Sequence, residues 1–349
     1  MRLNGLQPVK LSGGNLVRNT VFAVLLVACF VSVAVAADAN KKATSVARPD
    51  VVSPGSIVVH RFVDVAAIQA AGTKIFISDA ANNVVNIYNP SGKQLAQLTG
   101  FSQPQGLATD VKGNLYVADT NNSQILVFKP PYNKAPKKLA DPGYFPAGVN
   151  VVTIGTTTYV GVTNICSAPN CTQGGFIVYK NGKSKGAFQS SSIYRVYFCG
   201  FDAKGNLYAD GTDSNGVVTV GEIAKATSGG KTFKTLTTGN TISFPGGVEV
   251  TTKGKIAIDD QLAASVFTYN PPKNGSLGNP IKTTSLTGSS DAVTFAFTST
   301  NKDLWTADAG NANSAEYAYP AGGSALKTIP ISGSLPIGAA VVPAEIPGK

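Results

Sequence analysis

One short strand pattern returns six times along this chain and constrains its fold more than any other feature. The copies read IFISD, LYVAD, TYVGV, LYADG, IAIDD and LWTAD, and they start at Ile75, Leu115, Thr158, Leu207, Ile256 and Leu304. Successive copies start 40 to 49 residues apart. Repeats of this length that carry about four short strands are typical of β-propeller blades. The sequence therefore predicts an all-β, six-bladed β-propeller, with a seventh, degenerate blade as the alternative.

Two further strand patterns accompany each copy. An apolar strand precedes it and often begins with Pro-x-Gly, whereas the fourth and sixth units have Cys199-Gly200 and Asp291-Ala292 at that point. A third strand, such as VVNIY or ILVF, follows it. Spare strand patterns remain at 57–68 and 338–342, and one of them must complete a blade so that no sheet edge is exposed. The sequence does not decide which, and the predicted propeller covers residues 57–343.

The clearest unit, residues 104–128, resembles an NHL repeat. It combines a Gly-apolar-Ala strand, a Gly-Asn turn, the strand YVAD and the strand ILVF. The match is partial around Ile75 and at 200–210, and looser in the third, fifth and sixth units. This resemblance implies a six-bladed propeller of the gluconolactonase-like superfamily. It implies little about function, because propellers of this group host both enzymes and binding scaffolds.

The N-terminus carries an export signature. After a basic segment, an apolar run of about 16 residues ends in an A-x-A motif before Ala37, which is short for a membrane span and typical of a signal peptide. The residues before Cys29 resemble a bacterial lipobox, so lipidation at Cys29 is one alternative and would attach the protein to a membrane, and an uncleaved anchor is the other. We expect a signal peptide at 1–36, a flexible segment at 37–56, a tail at 344–349, and a periplasmic or extracellular protein.

Charge and cysteine content narrow the choices further. Removing residues 1–36 lowers the net charge from +10 to +7, and the remaining positive charges are scattered along the sequence. Such scatter is typical of a solvated surface, and nucleic-acid binding would require clustered charges with interleaved aromatics. Cys166 and Cys171 flank a turn-prone tetrapeptide, which favours a disulfide in an exported protein. A metal pair is the alternative, but no second Cys or His pair exists, and Cys199 is expected to be a buried free thiol.

Several catalytic mechanisms are excluded by residue type. The single histidine, His60, lies in an alternating strand pattern, so one chain cannot supply the several histidines on which propeller lyases depend. Four aspartates end the repeated second strand, at Asp79, Asp119, Asp260 and Asp308. An aspartate at a strand end accepts backbone N–H bonds and builds a turn. We therefore interpret these four as structural residues.

The gluconolactonase-like resemblance implies a divalent cation, such as Ca²⁺, held by oxygen ligands in the central channel. The innermost strands should be the Gly-apolar strands, which makes the channel candidates Asp64, Gln105, Asn150, Arg195, Glu249 and Asp291. Only Glu249 and Asp291 are well placed as acids, which is few for a metal-dependent hydrolase. The sequence therefore favours a binding scaffold for a protein, peptide or glycan, without a cofactor. A lactonase-type hydrolase that activates water on a cation is the alternative.

Overall fold

The computed structural model describes residues 72–331, 333–344 and 347. The predicted signal peptide, the segment 37–56, the strand pattern at 57–68 with His60 and Asp64, and the lipobox Cys29 lie outside the described residues. Helix in the described part is limited to two 3-10 turns, Thr120–Asn122 and Ala226–Ser228. No helix found there has the length and apolar character needed to cross a membrane.

Strands form six antiparallel sheets, the blades of a propeller. Blade 1 contains β1 (Lys74–Asp79), β2 (Val84–Tyr88) and β3 (Gln94–Leu98). Blade 2 contains β4 (Pro104–Thr109), β5 (Leu115–Asp119), β6 (Gln124–Phe128) and β7 (Lys137–Ala140). Blade 3 contains β8 (Tyr144–Ile154), β9 (Thr157–Ser167), β10 (Gly175–Lys180) and β11 (Lys183–Ser184). Blade 4 contains β12 (Arg195–Phe201), β13 (Leu207–Thr212), β14 (Val218–Ile223) and β15 (Phe233–Thr238). Blade 5 contains β16 (Pro245–Val250), β17 (Ile256–Asp260), β18 (Ser265–Tyr269) and β20 (Lys282–Thr287), and blade 6 contains β21 (Ala292–Phe297), β22 (Asp303–Asp308), β23 (Asn313–Ala318) and β25 (Lys327–Pro330). Two short strands, β19 (Ser276–Gly278) and β24 (Gly323–Ser324), precede β20 and β25 in the chain but belong to the sheets of blades 4 and 5. All six predicted second strands are confirmed.

The ring is closed by the C-terminal strand β26 (Pro336–Val342), which becomes the innermost strand of blade 1. It pairs antiparallel with β1, with Phe76 opposite Ala340 and Ile77 opposite Ala339. Closure therefore joins two segments from opposite ends of the described part of the chain. Two short strands strengthen the rim in a similar way, since β19 adds in parallel to the outer edge of blade 4 and β24 to that of blade 5.

The chain alternates between the two ends of the ring, because each strand reverses the direction of the one before it. We call "front face" the end where the first strand of a blade turns into the second and the third into the fourth. Its short turns are 89–93, 110–114, 129–136, 155–156, 181–182, 202–206, 224–232, 251–255 and 298–302. Two longer connections, 270–281 and 319–326, also leave the front ends of β18 and β23, and they carry β19 and β24 to the outer edge of the preceding blade. The opposite end, the "back face", carries 80–83, 99–103, 120–123, 141–143, 168–174, 189–194, 213–217, 239–244, 261–264, 288–291, 309–312, 331 and 333–335. Residues 185–188 are not counted as a turn, because they continue along the edge of blade 3 to the bridge between Phe188 and Phe176.

Apolar side chains fill the spaces between blades. Phe76 and Ile87 of blade 1 belong to one cluster with Leu115 and Tyr132 of blade 2, and the Tyr132 ring meets Phe76 edge-on at a centroid distance of 5.2 Å. The single tryptophan, Trp305, is 1% exposed between blades 6 and 1. Each blade is thus covered on both faces by its neighbours.

Neighbouring inner strands approach so closely that a side chain is excluded at some positions. A Cβ on Gly148 would stand 2.6 Å from the Tyr197 carbonyl oxygen and 2.9 Å from the Phe198 Cα. Where two neighbouring inner strands face each other in this way, only one of the two facing residues must be glycine. Gly148 leaves the room that Phe198 occupies.

This pairing corrects one detail of the sequence comparison. The strand registers place Phe198 and Thr294 at the glycine position of blades 4 and 6. The predicted residues at that point, Cys199-Gly200 and Asp291-Ala292, are shifted from it along the inner strands. In blade 4 the glycine of the preceding inner strand, Gly148, leaves room for Phe198, and in blade 6 the side chain of Thr294 is small. Neither blade therefore needs a glycine at this position, and the Pro-x-Gly pattern is absent there.

The repeated aspartates fasten the chain that enters each blade to the second strand of that blade. Asp119 accepts the Ser102 backbone N–H at 2.7 Å, and Asp260 accepts that of Ser243 at 2.7 Å. In each case the donor lies just before the inner strand of the same blade. The predicted structural role of these aspartates is therefore confirmed, and it fixes where the inner strands begin.

Candidate functional site

The inner strands end on the front face around a shallow cavity at the mouth of the central channel. Its empty volume, which includes open solvent, is about 430 Å³. Most of its walls are small or apolar, and the lining residues are Leu107, Ala108, Thr109, Asn150, Val151, Glu249, Ala296, Phe297, Ala339, Ala340, Val341, Ala344 and Pro347. The polar side chains of this set come from only three positions, Thr109, Asn150 and Glu249.

A hydrogen-bonded pair forms the polar centre of this cavity. The Asn150 Nδ2 donates to Glu249 Oε2 at 3.1 Å, and the Phe201 backbone N–H donates to Asn150 Oδ1 at 3.0 Å. The second bond sets the orientation of the amide, so that its N–H group faces the carboxyl. The Thr109 hydroxyl is committed elsewhere, since it donates to the Val341 carbonyl at 2.6 Å. Three inner strands, β8, β12 and β16, thus position one carboxyl group.

The pKa of Glu249 is raised to about 8, chiefly because burial in the channel disfavours the charged form, while the bond from Asn150 opposes the shift. The side chain keeps some accessible surface, but that surface faces the narrow channel rather than bulk solvent. At neutral pH the carboxyl is therefore mainly protonated and can both donate and accept a hydrogen bond. Such a site suits an uncharged polar group.

Cys199 lies deeper in the channel, in a second void of about 280 Å³ that Glu249 also lines. It is buried and makes no disulfide, as predicted. Burial, with the nearby Glu249, raises the pKa of its thiol. Because the thiolate is the reactive form of cysteine, this residue is a packing group rather than a nucleophile.

The structure does not bring Asp291 to Glu249. Asp291 lies just before β21 at the back face, where its N–H donates to Asp308 Oδ1 at 3.2 Å. Glu249 shares the front cavity with Ala296, which is five residues further along the same strand. At about 3.3 Å per residue, roughly 16 Å of strand separates the two levels. The two carboxyl groups therefore cannot share one ion.

The other two candidates lie outside the cavity lining. The Gln105 carbonyl accepts the Ser78 hydroxyl at 2.6 Å, which links blades 1 and 2 in the back half of β4. The Arg195 guanidinium lies 4.6 Å from the Tyr194 ring centre and donates to the Thr172 carbonyl. Both interactions are structural in character.

Thr172 directly follows the loop that the predicted disulfide closes. Cys166 and Cys171 are bonded, with an S–S distance of 1.98 Å and Cα atoms 4.8 Å apart. The Arg195 contact therefore fastens this loop to the start of β12 at the back face.

Acidic side chains gather at the back ends of the second strands in blades 4 to 6, without forming a metal centre. Asp259 is fully buried, and its pKa is raised well above the ordinary range by burial and by Asp260, Asp291, Asp210 and Asp308. Within the part of the chain that the structure describes, no group of three or more His, Cys, Asp or Glu residues is placed to hold a metal ion.

Sequence reasoning named Asn150 among the channel candidates but missed its pairing with Glu249. The two residues are 99 positions apart and belong to different blades. A signal was present, since each stands four positions after the proline that opens its inner strand, Pro146 or Pro245. Aligning the inner strands from that proline would have placed both at one level of the channel.

Comparison with known proteins supports the fold. The NHL repeat profile matches residues 101–128. No curated protein sequence matches the chain. A chain from the crystal structure of a nidogen/laminin complex superimposes with a TM-score of 0.57 at 13% identity, covering 77% of this chain and 98% of that one.

Two further solved structures are similar. Virginiamycin B lyase from Staphylococcus aureus has a TM-score of 0.51 and 13% identity, with 80% of this chain and 85% of the lyase covered. Hydrazine synthase from Kuenenia stuttgartiensis has a TM-score of 0.52 and 15% identity, with coverages of 79% and 80%. At these identities the likeness concerns the fold alone.

Proposed function

Because the chain is a six-bladed β-propeller that carries an NHL repeat, we propose that it is an exported binding scaffold for a protein, peptide or glycan. The ligand contacts the mouth of the channel on the front face. The observation that carries this proposal is the Glu249–Asn150 pair, a protonated carboxyl and an oriented amide set among apolar walls. One similar structure is of a nidogen/laminin complex, an assembly of proteins.

The chemistry of the pair defines the group that it would recognise. A neutral carboxyl next to an amide can donate to and accept from a peptide group or a sugar hydroxyl, whereas it offers little to a bare cation. The apolar rim, including Val151 and Phe297, would pack against the same ligand. Ligand sites commonly combine mostly apolar walls with a few oriented polar groups. Since the cavity is shallow, most of a larger ligand would lie on the front face outside it.

Export is part of the same proposal. The disulfide Cys166–Cys171 is of the kind that persists in oxidising compartments. Mass spectrometry of the purified protein tests this directly, because export by an ordinary signal peptide predicts a mature N-terminus at Ala37. A lipidated Cys29 would instead place the protein on a membrane, and an intact Met1 would contradict cleavage of a signal peptide.

The test of the binding site uses two substitutions of one residue. The wild type is screened on glycan and peptide arrays, and the affinity of each hit is measured by calorimetry. Glu249→Gln keeps a neutral hydrogen-bonding group and should retain binding, whereas Glu249→Ala should weaken it about tenfold, the value of one lost hydrogen bond in a desolvated site. Glu222→Gln, on the outer part of blade 4, is the control and should bind like the wild type.

The same titrations carry a pH signature. Wild-type affinity should fall as the pH rises through about 8, where Glu249 ionises, and Glu249→Gln should not show this fall. Equal affinities for the wild type and Glu249→Ala would refute the proposed site. Thermal stabilisation by Ca²⁺ or Zn²⁺ together with turnover of a lactone would favour the lactonase-type hydrolase instead.

A further inference from the structure

The surface of the described chain carries exposed charge of almost one sign. Seventeen lysines are exposed, while no Asp or Glu among the described residues is exposed. The carboxylates are drawn inward because they accept backbone N–H bonds, as Asp119 and Asp260 do. The outward-facing charge is therefore cationic, although the sequence as a whole contains both signs.

The lysines are sorted by face. The short front-face turns contain ten lysines, nine of them exposed, against two aspartates that are not exposed, and the described residues of the back-face turns contain no lysine. Five of the ten stand in turns next to the channel mouth, at Lys112, Lys204, Lys253, Lys255 and Lys302. The others lie in the outer turns of blades 1, 2 and 4. Scattered charges of the sequence thus become one cationic face in the fold.

Exposed apolar residues accompany these lysines at the same level. Val111 is 50% exposed next to Lys112, and Ile154, at the front end of β8, is 36% exposed. None of the front-face turns contains arginine. Lysine acts as a compact point charge without the bidentate geometry that arginine uses to recognise individual groups. The face is therefore suited to an extended charged surface more than to one defined anion.

From this arrangement we propose that the front face docks on an anionic lipid bilayer. The lysines surround the ring instead of following a groove, so they match a two-dimensional anionic surface and not a single linear polyanion. Juxtamembrane lysines are attracted to anionic headgroups, and exposed apolar tips such as Val111 and Ile154 can enter the interfacial region. This docking uses the same face as the proposed site at Glu249, so a bilayer and a large ligand would exclude each other there, and it needs no lipid at Cys29.

The experiment is vesicle sedimentation of the full chain. Vesicles of phosphatidylcholine with about one third phosphatidylglycerol supply the anionic surface. Vesicles of pure phosphatidylcholine are the control for binding to neutral lipid through the apolar run at 21–36. We expect binding that requires the anionic lipid and is lost in high salt, because exposed charges are screened. Binding to both vesicle types equally would refute the proposal.

Two double variants with equal charge change locate the surface. Lys112→Gln/Lys204→Gln removes two front-face charges, and Lys138→Gln/Lys185→Gln removes two exposed lysines from outer strand edges. Each lysine near a bilayer contributes about fivefold in affinity, so the first variant should bind roughly 25-fold more weakly. The second should bind within about twofold of the wild type. Equal losses would mean that net charge, not this face, governs binding.

A matched pair of valines separates a bilayer from a soluble polyanion. Val111 and Val217 both lie in exposed turns that begin with aspartate, but on opposite faces, and they are 50% and 61% exposed. Val111→Ser should weaken vesicle binding several-fold, while Val217→Ser should not. If Val111→Ser binds vesicles like the wild type and polyphosphate chains bind as tightly as vesicles, the ligand is a linear polyanion and the bilayer proposal is wrong.

Discussion

The raised pKa of Glu249 leads to a quantitative prediction for protein stability. A carboxyl with an ordinary pKa of 4.5 in the unfolded chain and about 8 in the folded protein keeps its proton on folding between these pH values. The native state then binds more protons than the unfolded state, so stability falls as the pH rises through this window. Below about 4.5 the effect is absent, and above about 8 it is complete.

The magnitude follows from the size of the shift. Each pKa unit corresponds to about 1.36 kcal/mol, so the full shift sets a ceiling of about 5 kcal/mol. The Glu249 side chain keeps contact with solvent in the channel, which reduces the cost of its charge, and we expect about 2 kcal/mol. Glu249→Gln removes the ionisation while it can still accept the bond from Asn150.

The assay is urea unfolding followed by the fluorescence of Trp305, the single tryptophan, which is buried between blades. At pH 5 the wild type and Glu249→Gln should differ little in their free energies of unfolding. At pH 9 the variant should be more stable by about 2 kcal/mol. Glu222→Gln makes the same chemical change at a half-buried site beside Lys234, and its pH dependence should be smaller. A difference between Glu249→Gln and the wild type that is equal at pH 5 and pH 9 would refute this reasoning.

Three further substitutions can be tested by the same unfolding assay. Gly148→Ala should destabilise the fold by about 3 kcal/mol, because its Cβ would stand 2.6 Å from the Tyr197 carbonyl oxygen. An almost unchanged free energy of unfolding would show that the inner strands can move apart. Asp119→Ala should cost about 2 kcal/mol, since the Ser102 N–H loses its acceptor; an unchanged midpoint would contradict the turn role. Asp259→Asn should stabilise the protein, and more so at high pH, because burial and neighbouring acids raise the pKa of Asp259. A lower free energy of unfolding at every pH would contradict this prediction.

The blades were predictable because their signals are local. The strand LYVAD ends in Asp119, whose carboxyl builds the following turn within a few residues. The Asp110 turn that precedes it is equally local, since Asp110 accepts the N–H groups of Lys112 and Asn114 at 2.9 Å. Hydrophobic alternation and turn chemistry of this kind act over short stretches of sequence. Six copies of one local pattern therefore sufficed to give the architecture.

Ring closure and the site were not predictable in the same way, because both depend on contacts between distant segments. Strand β26 pairs with β1 across almost the whole described chain, and the sequence offered a strand pattern at each end. The Glu249–Asn150 bond joins two inner strands. The raised pKa of Glu249 arises from burial in a channel that exists only when the ring is closed.

Charge distribution shows most clearly how the fold changes the meaning of the sequence. Read along the chain, the lysines are scattered, which predicts an ordinary solvated surface. In an antiparallel blade, however, consecutive turns lie on opposite faces. Which pair of strands a turn connects therefore decides whether its charged residues lie on the front or the back face. The turn 110–114 carries Lys112 to the front, and the next turn, 120–123, carries only polar side chains to the back. Because this alternation recurs through the blades, a periodic placement of lysine that looks random in one dimension produces a strongly polarised ring. For antiparallel repeat proteins, the relevant test for a charged interface is therefore the assignment of each charge to a face, and clustering along the sequence is a poor substitute.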